Sequence, residues 1–186
     1  MQSTYKKLLI IGLVILVAAI SRLIPHPLNF APLGAMALFG AAYLGSKGKG
    51  LLVTVLAWFL SDLVLNNFVY NVEPGFTLFT DGSFFIYLSI VLIFLLGRIV
   101  LKRVTVARMV GGSFAASIIF FVLSNFGVWA QDLIYPMTLE GLVQCYTMAI
   151  PYFKNTLVGD LFYSGVLFLA YEKLLREQLS PKKVEH

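Results

Sequence analysis

The chain has 186 residues, of which 59% are hydrophobic and only 12% are charged, and its mean hydropathy is +0.87. Soluble globular proteins carry about 25% charged residues, so this composition excludes an ordinary soluble domain and indicates an integral membrane protein. The net charge of +5 does not indicate nucleic-acid binding, because the basic residues form short clusters beside apolar segments, as topology signals do.

Six apolar segments follow one another and predict an all-α integral membrane protein, with one six-helix transmembrane bundle over residues 1–186. Helices are expected because backbone polar groups in lipid must be hydrogen-bonded within their own segment. The predicted helices cover about residues 8–24, 28–44, 51–72, 84–101, 109–130 and 153–175. The first could also be a cleaved signal peptide, but the membrane segments that follow it favour a retained helix.

The second segment is short, since its apolar core is only Leu33–Leu44. Twelve residues rise about 18 Å, whereas the hydrocarbon core of a bilayer is about 30 Å thick. We expect this helix either to begin earlier, within LNFAP, or to be shielded by its neighbours. Its small residues allow close packing, either within this chain or against another membrane protein. The candidates for docking such a partner are Ala37, Ala41 and Gly45.

The basic residues predict the orientation of the chain. If the N-terminus is cytoplasmic, twelve of the fourteen Lys and Arg residues fall on the cytoplasmic side, and only Arg22 and Lys154 fall near the outer side. The outer connections carry acidic residues instead: Glu73, Asp81, Asp132 and Glu140. This imbalance predicts that both termini are cytoplasmic and that the number of membrane crossings is even.

Polar side chains inside the apolar segments are the candidate functional residues. Asp62 and Asp160 are predicted at similar depth in the outer third of the membrane, and Arg22 is the only strong cation there. A carboxylate that faces lipid costs roughly 2.5–3.5 kcal/mol, so both are expected to face inward. One interpretation is an Arg22–Asp62 or Arg22–Asp160 pair that ties helices together. The other is a substrate-binding chamber open to the outside, lined also by His26, Asn29, Asn66, Asn125, Trp129, Asn155 and Tyr163.

Two outer connections contain prolines. The stretch PHPLNFAP, between the first two helices, predicts a rigid non-helical flap above the polar layer. Thr138–Ile150 predicts an amphipathic stretch along the outer surface, which could form a second lid. It contains Cys145, the single cysteine, which excludes an intramolecular disulfide. That position is compatible with a buried, inert thiol or with a thiolate that touches a metal or cofactor. The sequence predicts no cofactor.

A resemblance to known transporters extends over most of the chain. The run LFGAAYLGSKGKGLLVTVLAWFLSDLVL, Leu38–Leu65, resembles the second-to-third helix passage of substrate-binding (S) components of energy-coupling-factor (ECF) vitamin transporters. RLIPHPLNFAPLGAMALFGAAYL, SNFGVWAQDLIYP and YFKNTLVGDLFY are similar to an uncharacterised bacterial family of transport proteins. The resemblance implies an outward-facing pocket for a vitamin or similar micronutrient, in the bacterial cytoplasmic (inner) membrane.

The same resemblance implies partners: a transmembrane coupling subunit and two cytoplasmic ATPases. In S components, small residues of the first helix, often Ala-x-x-x-Ala, contact the coupling subunit. The first segment here lacks that spacing, and Ala37 and Ala41 are the substitute that the sequence offers.

The sequence therefore predicts a membrane uptake protein that binds a small metabolite or vitamin, and not an enzyme. GSKGKG lacks the spacing of a phosphate-binding loop, and no H-E-x-x-H or G-x-S-x-G motif is present. Two alternatives stay open. One is an intramembrane enzyme or cofactor-processing protein that uses Asp62 and Asp160, or Cys145; the other is an assembly subunit without a ligand.

Overall fold

The computed structural model describes residues 2–44, 48–70 and 75–172, with side chains from residue 8 onward. This part of the chain is all-α, as predicted, and contains no β-strand. Its six helices are α1 (Gln2–Ile20), α2 (Leu33–Tyr43), α3 (Lys49–Val64), α4 (Ser83–Val100), α5 (Val106–Ala130) and α6 (Leu139–Ala170). A 3₁₀ turn, Ser21–Leu23, follows α1, and a π-helical turn, Leu65–Val69, continues α3. Gly45 and the predicted helix ends at 71–72 and 173–175 lie outside the described residues.

Three of the helices are long and apolar enough to cross a membrane. They are Lys49–Val69, which is α3 with its π turn, together with α4 and α5, and they have 21, 18 and 25 residues. At 1.5 Å per residue their lengths are about 27–38 Å, which matches a hydrocarbon core of about 30 Å. Large apolar side chains on their outer faces are exposed, as lipid contact requires; examples are Leu56, Leu95 and Val122. These features indicate a membrane protein.

The short helix α2 lies at the centre of the fold and contacts each of the other five helices. Nine consecutive residues, Leu33–Ala41, are buried. Because every side of α2 is covered, its sequence is apolar around the whole circumference and not along one stripe. Of the two explanations for its shortness, shielding by neighbours is therefore the correct one. The helix begins at Leu33 and not within LNFAP. Asn29 adopts a left-handed conformation (φ 63°), which excludes a start at Leu28 or Asn29.

Small residues allow the close approach of α2 to its neighbours. A Cβ at Gly50 would overlap the carbonyl group of Gly40, so α2 and α3 meet backbone to backbone there. Ala37 and Ala41, two of the three candidates for docking a partner, are 0% and 4% exposed. Their burial fits the alternative in which these residues pack within this chain. Docking of a partner through them stays a prediction.

Helix α6 is longer than predicted, with 32 residues, and it continues through Pro151. The stretch Thr138–Ile150, predicted as a separate surface element, forms its cap and first three turns. The Thr138 hydroxyl oxygen accepts a hydrogen bond from the Gly141 N–H (3.1 Å), which starts the helix. A proline inside a helix removes one backbone hydrogen bond but does not have to end the helix. The sequence prediction placed the boundary at this proline, and the structure does not.

Candidate functional site

Arg22 and Asp62 form an ion pair that joins the end of α1 to α3. Arg22 Nη2 lies 2.7 Å from Asp62 Oδ1, and the two side chains are 11% and 16% exposed. Arg22 Nη1 donates to Ser61 Oγ, and the guanidinium carbon lies 3.4 Å from the centre of the Trp58 ring. A planar guanidinium can pair with a carboxylate and stack on an aromatic face at the same time. The Arg22 guanidinium is therefore already engaged by α3.

The other oxygen of Asp62 is also occupied. The Tyr87 hydroxyl of α4 donates to Asp62 Oδ2 at 3.4 Å, which extends the cluster to a third helix. Within the described ranges, Trp58 Nε1 is the one buried side-chain polar atom without a hydrogen-bond partner. The cluster thus spans α1, α3 and α4 and is almost fully satisfied by its own members. This arrangement corresponds to one of the two interpretations of the sequence, an Arg22–Asp62 ion pair that holds helices together.

Asp160 lies in a different environment, at the N-terminus of α2. It is 2% exposed, and Ser117 Oγ of α5 donates to Asp160 Oδ2 at 2.8 Å. The backbone N–H groups of Gly34 and Ala35 also donate to this carboxylate. Those N–H groups belong to the first turn of α2, where a helix offers no internal acceptor and its dipole favours negative charge. Asp160 is therefore an N-terminal cap that α6 supplies to α2.

Gly34 makes this cap feasible. A Cβ at Gly34 would lie 2.5 Å from Asp160 Oδ1, so only glycine lets the carboxylate approach the backbone. Gly159, beside the aspartate, similarly meets the chain just before α2, where its Cβ would lie 3.1 Å from the Ala31 nitrogen. The start of α2 and the middle of α6 thus fit together through two glycines and one buried carboxylate.

The predicted flap is non-helical from Ile24 to Pro32 and rests on α6. Asn155 Nδ2 donates to the Leu28 carbonyl (2.9 Å), and the ring of Phe30 lies 5.6 Å from that of Tyr163. The hydroxyl oxygens of Tyr163 and Ser21 are 3.0 Å apart. His26 Nδ1 lies 3.0 Å from the carbonyl oxygen of Pro27, within its own connection. Asn155 and Tyr163 therefore anchor the flap.

A cavity of about 220 Å³, which we call the outer cavity, opens beside this flap, between the start of α4 and the end of α5. Three of its polar residues donate hydrogen bonds to backbone carbonyl groups of α5. Ser124 Oγ donates to Phe120, Asn125 Nδ2 to Phe121, and Gln131 Nε2 to Gly127. Within the described ranges, the side-chain oxygens of Asn125, Gln131 and Asp81 have no partner. The cavity is thus rich in hydrogen-bond acceptors. Its lining comprises Asn29, Asp81, Gly82, Ile86, Phe120, Ser124, Asn125, Val128 and Gln131.

Gly82 shapes one wall of this outer cavity. Its φ of 78° favours glycine, and a Cβ there would lie 2.5 Å from Gln131 Nε2. Asp81, directly before it, is exposed at the cavity mouth. The turn before α4 therefore fixes the position of the Gln131 amide in the cavity wall.

Two further candidates lie outside this cavity. Trp129 Nε1 donates to the carbonyl groups of Pro136 and Thr138 (3.1 and 3.2 Å), so it fastens the connection between α5 and α6. Asn66 is half-buried in the π turn after α3. Its neighbour Asn67 makes the contacts: Nδ2 donates to the Thr77 carbonyl (2.8 Å), and Oδ1 accepts from the Thr77 N–H (2.7 Å).

The structure thus distributes five of the ten candidate residues over three clusters and not one chamber. The other five lie outside these clusters: His26, Asn66, Trp129, Asn155 and Tyr163. Arg22 and Asp62 belong to the cluster that joins α1, α3 and α4, Asp160 caps α2, and Asn29 and Asn125 line the outer cavity. In the described ranges, Asp160 has no cationic partner. Each carboxylate finds donors close to its own position, so the two have no need of a common arginine. Binding roles for these residues stay predictions.

Sequence reasoning missed several members of these clusters: Trp58, Ser61, Tyr87, Ser117 and Gly34. It also missed Asn67, which lies in the π turn outside them. Cys145, in contrast, lies in a site that fits the inert alternative. It is 2% exposed, and its thiol donates to the Asn125 carbonyl at 3.4 Å. Among the described residues, no group of three or more His, Cys, Asp or Glu side chains is arranged to hold a metal.

Comparison with known proteins gives one match, to a family model that covers residues 2–182. The chain belongs to DUF6580, a family of unknown function. The DUF6580 match includes all six helices and the three clusters described above. No curated protein and no solved structure matches the chain significantly.

Proposed function

We propose that the protein crosses the bacterial cytoplasmic membrane six times, with both termini in the cytoplasm. The three long apolar helices support this topology, and so do the shorter apolar helices Leu8–Leu23 and Leu33–Tyr43. The basic residues support the orientation, because four of them are exposed in the last turn of α4, the connection that follows it and the first turn of α5, and would lie on the cytoplasmic side. They are Arg98, Lys102, Arg103 and Arg108. The flap and the outer cavity would then face the periplasm or cell exterior.

In this orientation the protein is a membrane uptake protein that binds a small solute in the outer cavity. The observation that carries this proposal is that side-chain oxygens of Asp81, Asn125 and Gln131, which have no partner in the part of the chain that the structure describes, lie around an open cavity. Such a site favours a neutral or cationic solute with several N–H or O–H donors. Drug-sized ligands occupy about 300–1,000 Å³, so a cavity of about 220 Å³ suits a smaller metabolite or the head of a vitamin.

This ligand differs in charge from the one that an arginine site would favour. An arginine favours an anionic group, but the Arg22 guanidinium is engaged by Asp62 and stacked on Trp58. The outer cavity has no cation in its lining and one carboxylate, Asp81. An amine or a polyhydroxylated or heterocyclic donor therefore fits it better than a carboxylate.

A transmembrane coupling subunit and ATPases would supply the energy, as the resemblance to S components implies. Docking of the coupling subunit on Ala37 and Ala41 would require other helices of the chain to uncover α2, because residues 33–41 of α2 are buried. If α6 moved, the Asp160 cap would break. The energising partner is thus expected to contact other surfaces first.

A second candidate function is an assembly subunit without a ligand. The internal satisfaction of Arg22, Asp62 and Asp160 favours it, since these buried charges need no external partner. The two functions differ in one respect that can be measured, namely saturable binding at the outer cavity.

The test is a thermal-shift screen of the purified protein against small amines, polyols and heterocyclic vitamins. A solute that binds in the outer cavity should raise the melting temperature of the wild type, and Asp81→Asn and Asn125→Ala should reduce its affinity. Glu140→Gln is the matched control, because it removes an outer, exposed carboxylate that does not line the cavity. If no solute in the screen shifts the melting temperature, the assembly function is the better account.

A further inference from the structure

A second cavity, which we call the inner cavity, opens at the C-terminal end of α2, opposite the end that Asp160 caps. Its volume is about 440 Å³, and it lies between the C-terminal ends of α2 and α4. The two helices approach closely at its wall, since a Cβ at Gly97 would lie only 2.8 Å from the Cβ of Ala41. The lining residues are Ala41, Ala42, Tyr43, Gly97, Arg98, Leu101 and Lys102.

The inner cavity carries two cations that the described structure leaves unpaired. Arg98 and Lys102 lie four residues apart, both are exposed, and neither forms an ion pair within the described ranges. One carboxylate lies beside this wall, since the Tyr43 hydroxyl donates to Glu172 Oε1 at 2.7 Å. Residues 98–108 include four basic side chains and no acidic one. The charge of the site therefore favours an anionic ligand.

An apolar surface borders these cations on the same helix. Leu95 and Ile99, four residues apart, are 51% and 69% exposed. Residues at i and i+4 share a helix face, so one face of α4 ends in two cations and the adjacent face presents two aliphatic side chains. In a bilayer this combination lies where phosphate headgroups meet acyl chains, if the end of α4 is at the cytoplasmic surface.

We propose that the inner cavity binds the phosphate of an anionic phospholipid headgroup. Arg98 would pair with two phosphate oxygens through its planar fork, and Lys102 would add a point charge. The acyl chains would lie along Leu95 and Ile99. Basic pockets between helices at the cytoplasmic surface hold lipid headgroups in this manner. A solute-binding role for the outer cavity is not required for this proposal.

The experiment compares lipid retention by purified protein, measured by native mass spectrometry after exchange into phosphatidylglycerol or phosphatidylcholine. The variant Arg98→Gln/Lys102→Gln should lose about thirtyfold in affinity for phosphatidylglycerol, at roughly fivefold per cation removed near a membrane surface. The variant Arg103→Gln/Arg108→Gln is the matched control. It removes the same charge from the connection after α4 and the first turn of α5, but neither residue lines the inner cavity, so retention should change little.

A third variant tests the cavity without changing the charge. Ala42→Leu places a larger side chain in the inner cavity and should reduce retention while Arg98 and Lys102 stay in place. Size-exclusion profiles identify variants that do not fold, and Arg98→Lys/Lys102→Arg should fold and retain the lipid. Equal losses in both double glutamine variants would overturn the proposal, as would equal retention of phosphatidylcholine. Competition by inorganic phosphate as strong as that by the lipid would also overturn it, in favour of a soluble phosphate ligand.

Discussion

Asp160→Ala should destabilise the protein more than any other single change of a polar residue in α6. The aspartate is 2% exposed, and its removal would leave two buried N–H groups, those of Gly34 and Ala35, without an acceptor. Loss of a helix cap costs about 0.5–2 kcal/mol, and each unsatisfied buried donor costs about 1–3 kcal/mol. Because these contributions overlap, we expect a loss of about 2–5 kcal/mol in the free energy of unfolding.

The assay is equilibrium unfolding in mixed micelles, followed by the fluorescence of Trp58 and Trp129. Asp160→Asn retains one acceptor oxygen, so it should lose less than Asp160→Ala. Ser117→Ala removes one donor to the carboxylate and should cost about 1 kcal/mol. If Asp160→Ala unfolds at the same detergent fraction as the wild type, the cap does not stabilise α2 and the reasoning is wrong.

A double-mutant cycle with Gly34 separates the cap from general packing. Gly34→Ala alone should be destabilising, because its Cβ would lie 2.5 Å from Asp160 Oδ1. In the Asp160→Ala background the clash is absent, so the same change should cost clearly less. Strictly additive losses would mean that the two residues do not interact, contrary to the described geometry.

Three further predictions concern Arg22, Gly82 and Asn67. Arg22→Gln leaves Asp62 without its cation and should lower the free energy of unfolding by up to about 3 kcal/mol. Arg22→Gln/Asp62→Asn should lower it less than the single change does, and a larger loss in the double variant would contradict the ion-pair account. Gly82→Ala should displace Gln131 and weaken solute binding in the thermal-shift assay, whereas unchanged affinity would exclude that cavity as the binding site. Asn67→Ala should increase hydrogen exchange at residues 75–80 by removing the bonds to Thr77; unchanged exchange there would show that Asn67 does not hold this segment.

Helix positions were predictable wherever charge clusters marked the ends of apolar segments. The predicted helices at 84–101 and 109–130 agree with α4 and α5 to within three residues, because Arg98, Lys102 and Arg108 mark the connection between them. α2 was harder to predict, since a short helix covered on all sides has no polar stripe to show its boundaries. The start of α6 was missed because Pro151 was taken as a boundary.

The clusters were predictable only in part, since their partners are largely backbone groups and neutral side chains. The sequence offered the Arg22–Asp62 pair as one interpretation because only one cation lies near that depth. It could not indicate that Asp160 is bound by the N–H groups of Gly34 and Ala35, because every residue except proline carries such a group. Asn66 follows Asp62 by four residues and would share its face in a regular α-helix, but the π turn, with Tyr70 N–H bonded to the Leu65 carbonyl (2.8 Å), changes that periodicity.

The central claim is that the outer cavity is open to the exterior of the cell, and cysteine labelling tests it most directly. The single native cysteine is replaced in Cys145→Ala, and Ser124→Cys then places one thiol in the cavity lining. A membrane-impermeant maleimide added to intact cells should label this thiol, and a solute from the thermal-shift screen should slow the reaction. Labelling that occurs only after the membrane is permeabilised would place the cavity on the cytoplasmic side and contradict the uptake function.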